Sequence, residues 1–151
     1  MAKLPLNKPN LAACPIARSI AVFGDAWSML ILRDAHMGLT RFDEFRTSLG
    51  IAPSVLTKRL ATLVEEGLFE KRYYSEHPPR EEYLLTPAGQ EILPILFMLG
   101  DWSRRHKPYD DPSLMPAFID TETGAEIEPI VIDKNTGIEI GKRAIHRKRR
   151  V

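Results

Sequence analysis

Three residues punctuate the middle of the chain and constrain it most: Gly50, Pro53 and Gly67. Gly50 breaks one segment. Pro53 opens the next helix at a position where its missing N–H costs nothing. Gly67 sits where a left-handed residue ends a helix. Between them Leu56, Leu60 and Leu63, with Val64, form one apolar stripe, which predicts a helix over about 53–66, roughly 21 Å long. Upstream, Thr40-Arg41-Phe42-Asp43 reads as a capping-box-like start in which Asp43 reaches back to the Thr40 amide. Phe42, Phe45 and Leu49 then line one face of a short helix over about 41–49. A short capped helix, a tight turn and a second helix let the second helix project from the body.

The flanking segments complete the pattern. Residues 1–13 carry prolines at 5 and 9 and read as an extended arm. From Pro15, Ile16, Ile20 and Phe23 follow helical spacing up to Gly24, and a second helix runs from about Asp25 through Trp27, Leu30 and Ile31 to near Asp34. After Gly67, Leu68 to Tyr74 reads as a strand, Ser75 to Arg80 as a turn-rich tip and Glu81 to Leu85 as the returning strand. Thr86-Pro87 is an N-cap with an N1 proline, opening a long apolar helix to about Arg105 that Pro94 interrupts or kinks. Beyond Pro108, residues 120–127 and 133–140 match at five of eight positions, each a Thr-Gly turn among β-branched residues. One or two β-hairpins are expected there, and two copies are too few for a solenoid. The fold class is therefore mainly α with a small β-wing, a winged helix-turn-helix, plus a C-terminal hairpin-like extension. The segments are an arm over 1–13, the main domain over 14–107, the appendage over 108–140 and a basic tail over 141–151.

Charge is distributed unevenly. All 20 acidic residues lie in 1–140 against 15 Lys and Arg, a balance of −5, whereas the last eleven residues hold six basic residues and no acid. A basic tail on a mildly acidic body suggests a polyanionic partner. One cysteine cannot form an internal disulfide, which favours a reducing, cytoplasmic setting. No apolar run approaches the roughly 18–20 residues of a membrane span. The N-terminus lacks the apolar core of a signal peptide. His36, His77, His106 and His146 are too dispersed for metal-ligand spacing, and no phosphate loop or nucleophile elbow occurs. Neither an enzyme nor a metal or cofactor protein is expected.

The second helix of the pair presents Ser54, Val55, Thr57, Lys58, Ala61 and Thr62 opposite its apolar stripe. These residues suit a helix lying in a DNA major groove about 12 Å wide, and its first turn offers backbone N–H groups to a phosphate. The tip His77-Pro78-Pro79-Arg80 projects one arginine of the kind a narrow minor groove attracts. Lys58, Arg59, Lys71, Arg72 and Arg80, with Arg41 and Arg46 nearby, form a basic cluster. The bland alternatives are a solvated helix face and an Arg80 paired with Glu81 or Glu82. Tyr73, Tyr74 and Tyr83 offer rings for stacking or phosphate contact, and alternation requires at least one to be core. The candidate DNA contacts are Ser54, Val55, Thr57, Lys58, Arg59, Arg72 and Arg80. The rival reading is a winged-helix module that binds protein without specific DNA.

The stretch Cys14-Pro15-Ile16-Ala17-Arg18, Gly24-Asp25-Ala26-Trp27 and Ile31-Leu32-Arg33 resembles the opening of HxlR-type transcriptional regulators. The likeness continues through Gly38, Arg41-Phe42, Leu56 to Leu60, Gly67-Leu68, Pro79-Arg80, Tyr83, Leu85 to Gly89 and Trp102. Ala26, where a basic residue is more usual, and Ile20, where leucine is common, are mild departures. The resemblance implies a homodimer on double-stranded DNA, repressing or activating genes. Its dimer would be built from the N-terminal segment, here Ile16 and Ile20, and the last helix, here Leu96, Leu99 and Trp102. Independently, Ile92, Leu93, Leu96, Leu99 and Trp102 exceed what a domain of this size needs for its own core. The effector is not legible.

Cys14 falls at or beside a helix N-cap, where a thiolate faces unpaired N–H groups and the positive end of the helix dipole. Some relatives implied by the resemblance use the matching cysteine as a sensor, so Cys14 is a candidate redox sensor. The alternative is a cysteine that only caps and packs.

Overall fold

A computed structural model describes residues 9–146. The chain divides into two compact units, Met1–Leu96 and Phe97–Val151. In the first, α1 (Pro9–Ala12) is a single turn, where the proline-rich sequence predicts extended chain. It is followed by α2 (Pro15–Phe23), α3 (Ala26–His36), α4 (Phe42–Leu49) and α5 (Pro53–Glu65). Two antiparallel strands, β1 (Phe69–Glu76) and β2 (Pro79–Leu85), form the wing. A short α6 (Pro87–Gln90) precedes α7 (Leu93–His106), within which the two units divide.

Ile31, Leu32, Phe45, Ile51, Leu56, Leu60, Leu63, Leu68, Phe69 and Ile92 form one buried cluster. The α5 stripe expected from spacing is its centre, and all three leucines are fully buried. Phe69 links the helices to the wing by edge-on contacts with Phe45 and Tyr83, at 6.3 and 6.4 Å between centroids. Tyr83 is thus the core tyrosine that strand alternation demands.

Local chemistry sets the boundaries. Asp25 caps α3 by accepting from the Ser28 amide at 3.0 Å and from its hydroxyl at 2.5 Å. Gly50 takes φ +59°, the left-handed value that turns α4 into α5. The carboxylate that reaches back over the start of α4 is Glu44, not Asp43: its Oε2 accepts from the Thr40 and Arg41 amides, both at 2.9 Å. The isolated bridge Arg41↔Glu82, with the Tyr83 amide donating to the Thr40 carbonyl at 2.7 Å, ties the start of α4 to the edge of the two-stranded wing. The interruption expected at Pro94 divides the segment after Thr86 into two helices, α6 and α7, with the break just before Pro94. A proline ring there clashes with the carbonyl four residues back, that of Gln90.

In the second unit, Phe118 stacks on Phe97 of α7 with centroids 4.3 Å apart, and Arg104 donates to the Pro116 carbonyl at 3.2 Å. A 3-10 turn over Pro112–Leu114 precedes this docking. The repeated sequence folds as a repeated structure. The Gly124 amide donates to the Asp120 carbonyl and the Gly137 amide to that of Asp133, each at 2.8 Å. Each loop is closed by a single bridge, Ile119↔Glu126 and Ile132↔Glu139, so the expected hairpins are reduced to isolated bridges. Backbone amides hold the Asp120 and Asp133 carboxyls below the usual range. The basic tail is described only to residue 146, and its last five residues lie outside the described residues, as do residues 1–8 of the arm.

Candidate nucleic-acid interface

α5 is 13 residues long, about 20 Å. Its outward face carries Ser54, Thr57 and Lys58, all exposed. The Thr57 hydroxyl donates to the Pro53 carbonyl at 2.9 Å, which fixes its rotamer and leaves its lone pairs able to accept. Val55 is half-buried and packs against the core, so less of it faces outward than the spacing alone suggests. The supply of free amides is also smaller than expected. Pro53 has none and the Val55 amide donates to the Ala52 carbonyl at 3.0 Å, which leaves that of Ser54 without a protein acceptor among the described residues.

The wing sorts its charges by pairing. Lys71 Nζ lies 2.6 Å from Glu81, and Arg72 donates through Nε and Nη2 to Glu82 Oε1 at 3.1 and 2.9 Å. The hydrogen bond to Glu81 holds the Lys71 ammonium above its ordinary range, and burial raises the Tyr83 hydroxyl. These pairs remove the acids with which Arg80 would otherwise pair. Arg80 is exposed and, like Lys58, has no carboxylate partner among the described residues.

Two of the expected contacts are committed elsewhere. Arg59 turns to Asp25, Nε to Oδ1 at 3.3 Å, with 26% of its side chain exposed. Its partner lies 34 positions upstream, which no local pattern reveals. Arg72 is accessible but neutralised by Glu82 across the strand pair. The structure also brings forward a residue absent from the expected contact set, Arg41, whose guanidinium carbon lies 4.4 Å from the Tyr74 ring centroid. Tyr74 is the extra residue of a β-bulge between Tyr73 and Ser75.

The other expected site residues lie on α2, on α7 and at Cys14. Ile16 and Ile20 of α2 are 69% and 47% exposed. On α7, Leu99 and Trp102 are each 51% exposed and share a helical edge with Ile95, whereas Leu96 packs against the core. The expected apolar stripe therefore splits: Leu96, with Ile92 in the turn just before α7, faces the core, and Ile95, Leu99 and Trp102 form an outer edge. Cys14 is the half-buried N-cap of α2, without a side-chain capping hydrogen bond. Among the described residues no group of three or more His, Cys, Asp or Glu side chains is placed to hold a metal ion, and no single helix is long and apolar enough to cross a membrane.

The family model described as HxlR-like helix-turn-helix matches residues 22–111. An uncharacterized HTH-type transcriptional regulator of Mycobacterium tuberculosis is 35% identical over 131 residues, which are 86% of this chain and 82% of the relative. YdeP of Bacillus subtilis, an uncharacterized HTH-type transcriptional regulator, is 30% identical over 102 residues, 67% of this chain and 80% of YdeP. Among solved structures, PA1607 superposes with TM-score 0.79 at 35% identity, covering 91% of this chain and 96% of that one. The redox regulator HypR in its reduced form superposes with TM-score 0.57 at 29% identity, covering 62% and 95%.

Proposed function

The chain belongs to the HxlR-like helix-turn-helix family of transcriptional regulators, and from that premise we propose that it binds an inverted-repeat operator as a homodimer and represses transcription in the cytoplasm. α5 acts as the recognition helix, with Ser54, Val55 and Thr57 at base edges and Lys58 on the backbone. Arg80 carries the wing to the duplex. The observation that carries this reading is the sorting of charge: the acids beside Arg80, Glu81 and Glu82, are taken by Lys71 and Arg72, so Arg80 is free for a phosphate. In a two-fold dimer the two recognition helices meet half-sites one helical turn, about 34 Å, apart. A repressor of this form acts by covering the promoter.

Cys14 supplies the switch in this proposal. It stands at the N-terminus of α2, whose Ile16 and Ile20 belong to the proposed dimer contact. With one cysteine per chain, reversible oxidation gives either a mixed disulfide with a small thiol or a bond between subunits. The similarity to HypR, a redox regulator, supports this part of the reading.

The test is selection of duplexes from random-sequence DNA by the purified protein, followed by sequencing. Enrichment of an inverted repeat, with binding lost on diamide treatment and restored by a reductant in wild type but not altered in Cys14→Ser, supports the whole proposal. Absence of any enriched sequence favours the rival, a winged-helix module that binds protein.

A further inference from the structure

We propose that Arg41 and Arg80 form one clamp for a backbone phosphate, with Tyr74 as the platform that orients Arg41; this rests on the DNA-binding reading. Both arginines line a single cleft between the start of α4 and the tip half of the wing, together with Asp43, Glu44, Tyr74 and Glu81.

The placement of Arg41 is built in at three points. It is the N-cap of α4, its backbone is bridged to Glu82 of β2, and its guanidinium lies over the Tyr74 ring at 4.4 Å. The bulge at Tyr74 sets that ring out of register with the strand on either side. Stacking uses the face of a guanidinium and leaves the in-plane N–H donors at its edges. Such a group is preorganised for the oxygens of a phosphate.

The cleft contains three carboxylates, and each already has a partner. Asp43 faces Arg46 at 3.5 Å, Glu44 accepts from the Thr40 and Arg41 amides at 2.9 Å, and Glu81 holds Lys71 at 2.6 Å. Neither guanidinium has a carboxylate partner among the described residues. The Glu44 carboxylate attracts Arg41 without forming an ion pair with it, so both guanidiniums keep N–H donors for an anion placed between them. The anion is a DNA phosphate because one of the two cations stands on the wing.

The experiment measures binding of the full-length chain to a 30-base-pair duplex of the selected sequence and to a scrambled duplex, by fluorescence anisotropy over a range of salt. Arg41→Gln should weaken binding equally on both duplexes, and because Arg80 still holds the shared phosphate, the plot of log K against log salt should flatten by about 0.9 per bound copy only when Arg41→Gln is combined with Arg80→Gln. Tyr74→Leu keeps both charges, so it should leave the slope intact while weakening binding about 2- to 5-fold. Arg41→Gln combined with Arg80→Gln should lose less affinity than the product of the single losses, because both serve one phosphate. Arg41→Lys keeps the charge but loses the planar stacked group, so it should bind between wild type and Arg41→Gln, which provides a reading if the glutamine variant folds poorly. An unchanged affinity in Arg41→Gln, with Lys58→Ala still weakening binding, overturns the clamp alone, as do single losses that multiply. Salt-independent binding, or none, by the wild type overturns the DNA reading and the clamp with it.

Discussion

Arg59 Nε sits 3.3 Å from Asp25 Oδ1, so the recognition helix is tied by its own cation to the first turn of α3. The same carboxylate caps α3 through Ser28. Asp25→Ala removes a cap and leaves a half-buried guanidinium without its partner. A loss of about 2 kcal/mol is expected in urea denaturation, with Asp25→Ser, which restores the cap only, falling between. Equal stability of wild type and Asp25→Ala would contradict the tie.

Arg59 should accordingly be a poor DNA contact. Arg59→Met should leave the salt slope of binding unchanged, whereas Lys58→Ala should flatten it by about 0.9 per bound copy. Anisotropy titrations of the two variants check the assignment. A flatter slope in Arg59→Met would put that side chain on a phosphate.

Glu44 gives a pH signature. The Thr40 amide first, and that of Arg41 next, hold its carboxyl below its ordinary value of 4.5. A depressed carboxyl stabilises the fold above its unfolded pKa, and that contribution is lost as pH falls through the lower folded value. Glu44→Gln resembles the protonated form, so wild type should exceed it by about 0.5–1 kcal/mol at neutral pH. The gap should close below about pH 4.5. Denaturation at neutral and acid pH checks this, and a gap that does not change with pH would show that the charge is immaterial.

Trp102 tests the assembly. Trp102→Glu places a charge on the outer edge of α7, beside Leu99. Sedimentation should show a wild-type dimer at micromolar concentration and a folded, monomeric variant with weakened DNA binding. A monomeric wild type would remove α7 from the dimer.

Much of the first unit was legible because its signals are local. Pro53 and the leucine stripe mark α5 without reference to any other segment, and Thr86-Pro87 marks α6 in the same way. The site was less legible. The fates of Arg59 and Arg72 depend on Asp25 and Glu82, and sequence spacing gives the reach of a side chain only along its own helix. The choice of Glu44 over Asp43 turns on one methylene and one position, finer than a capping pattern resolves. The bridge from Arg41 to Glu82 is a single residue pair, too short for alternation to show. Arg41 was visible only as one more basic residue, because its meaning comes from Tyr74 and a bulge.

In the proposed complex α5 reads sequence while the cations around it supply affinity. The most direct measurement is the ratio of affinities for the selected and scrambled duplexes in wild type, Ser54→Ala with Thr57→Ala, and Arg80→Ala. The α5 double variant should collapse this ratio, whereas Arg80→Ala should weaken both duplexes alike and preserve it. A ratio that survives the α5 changes would show that α5 is not the recognition helix.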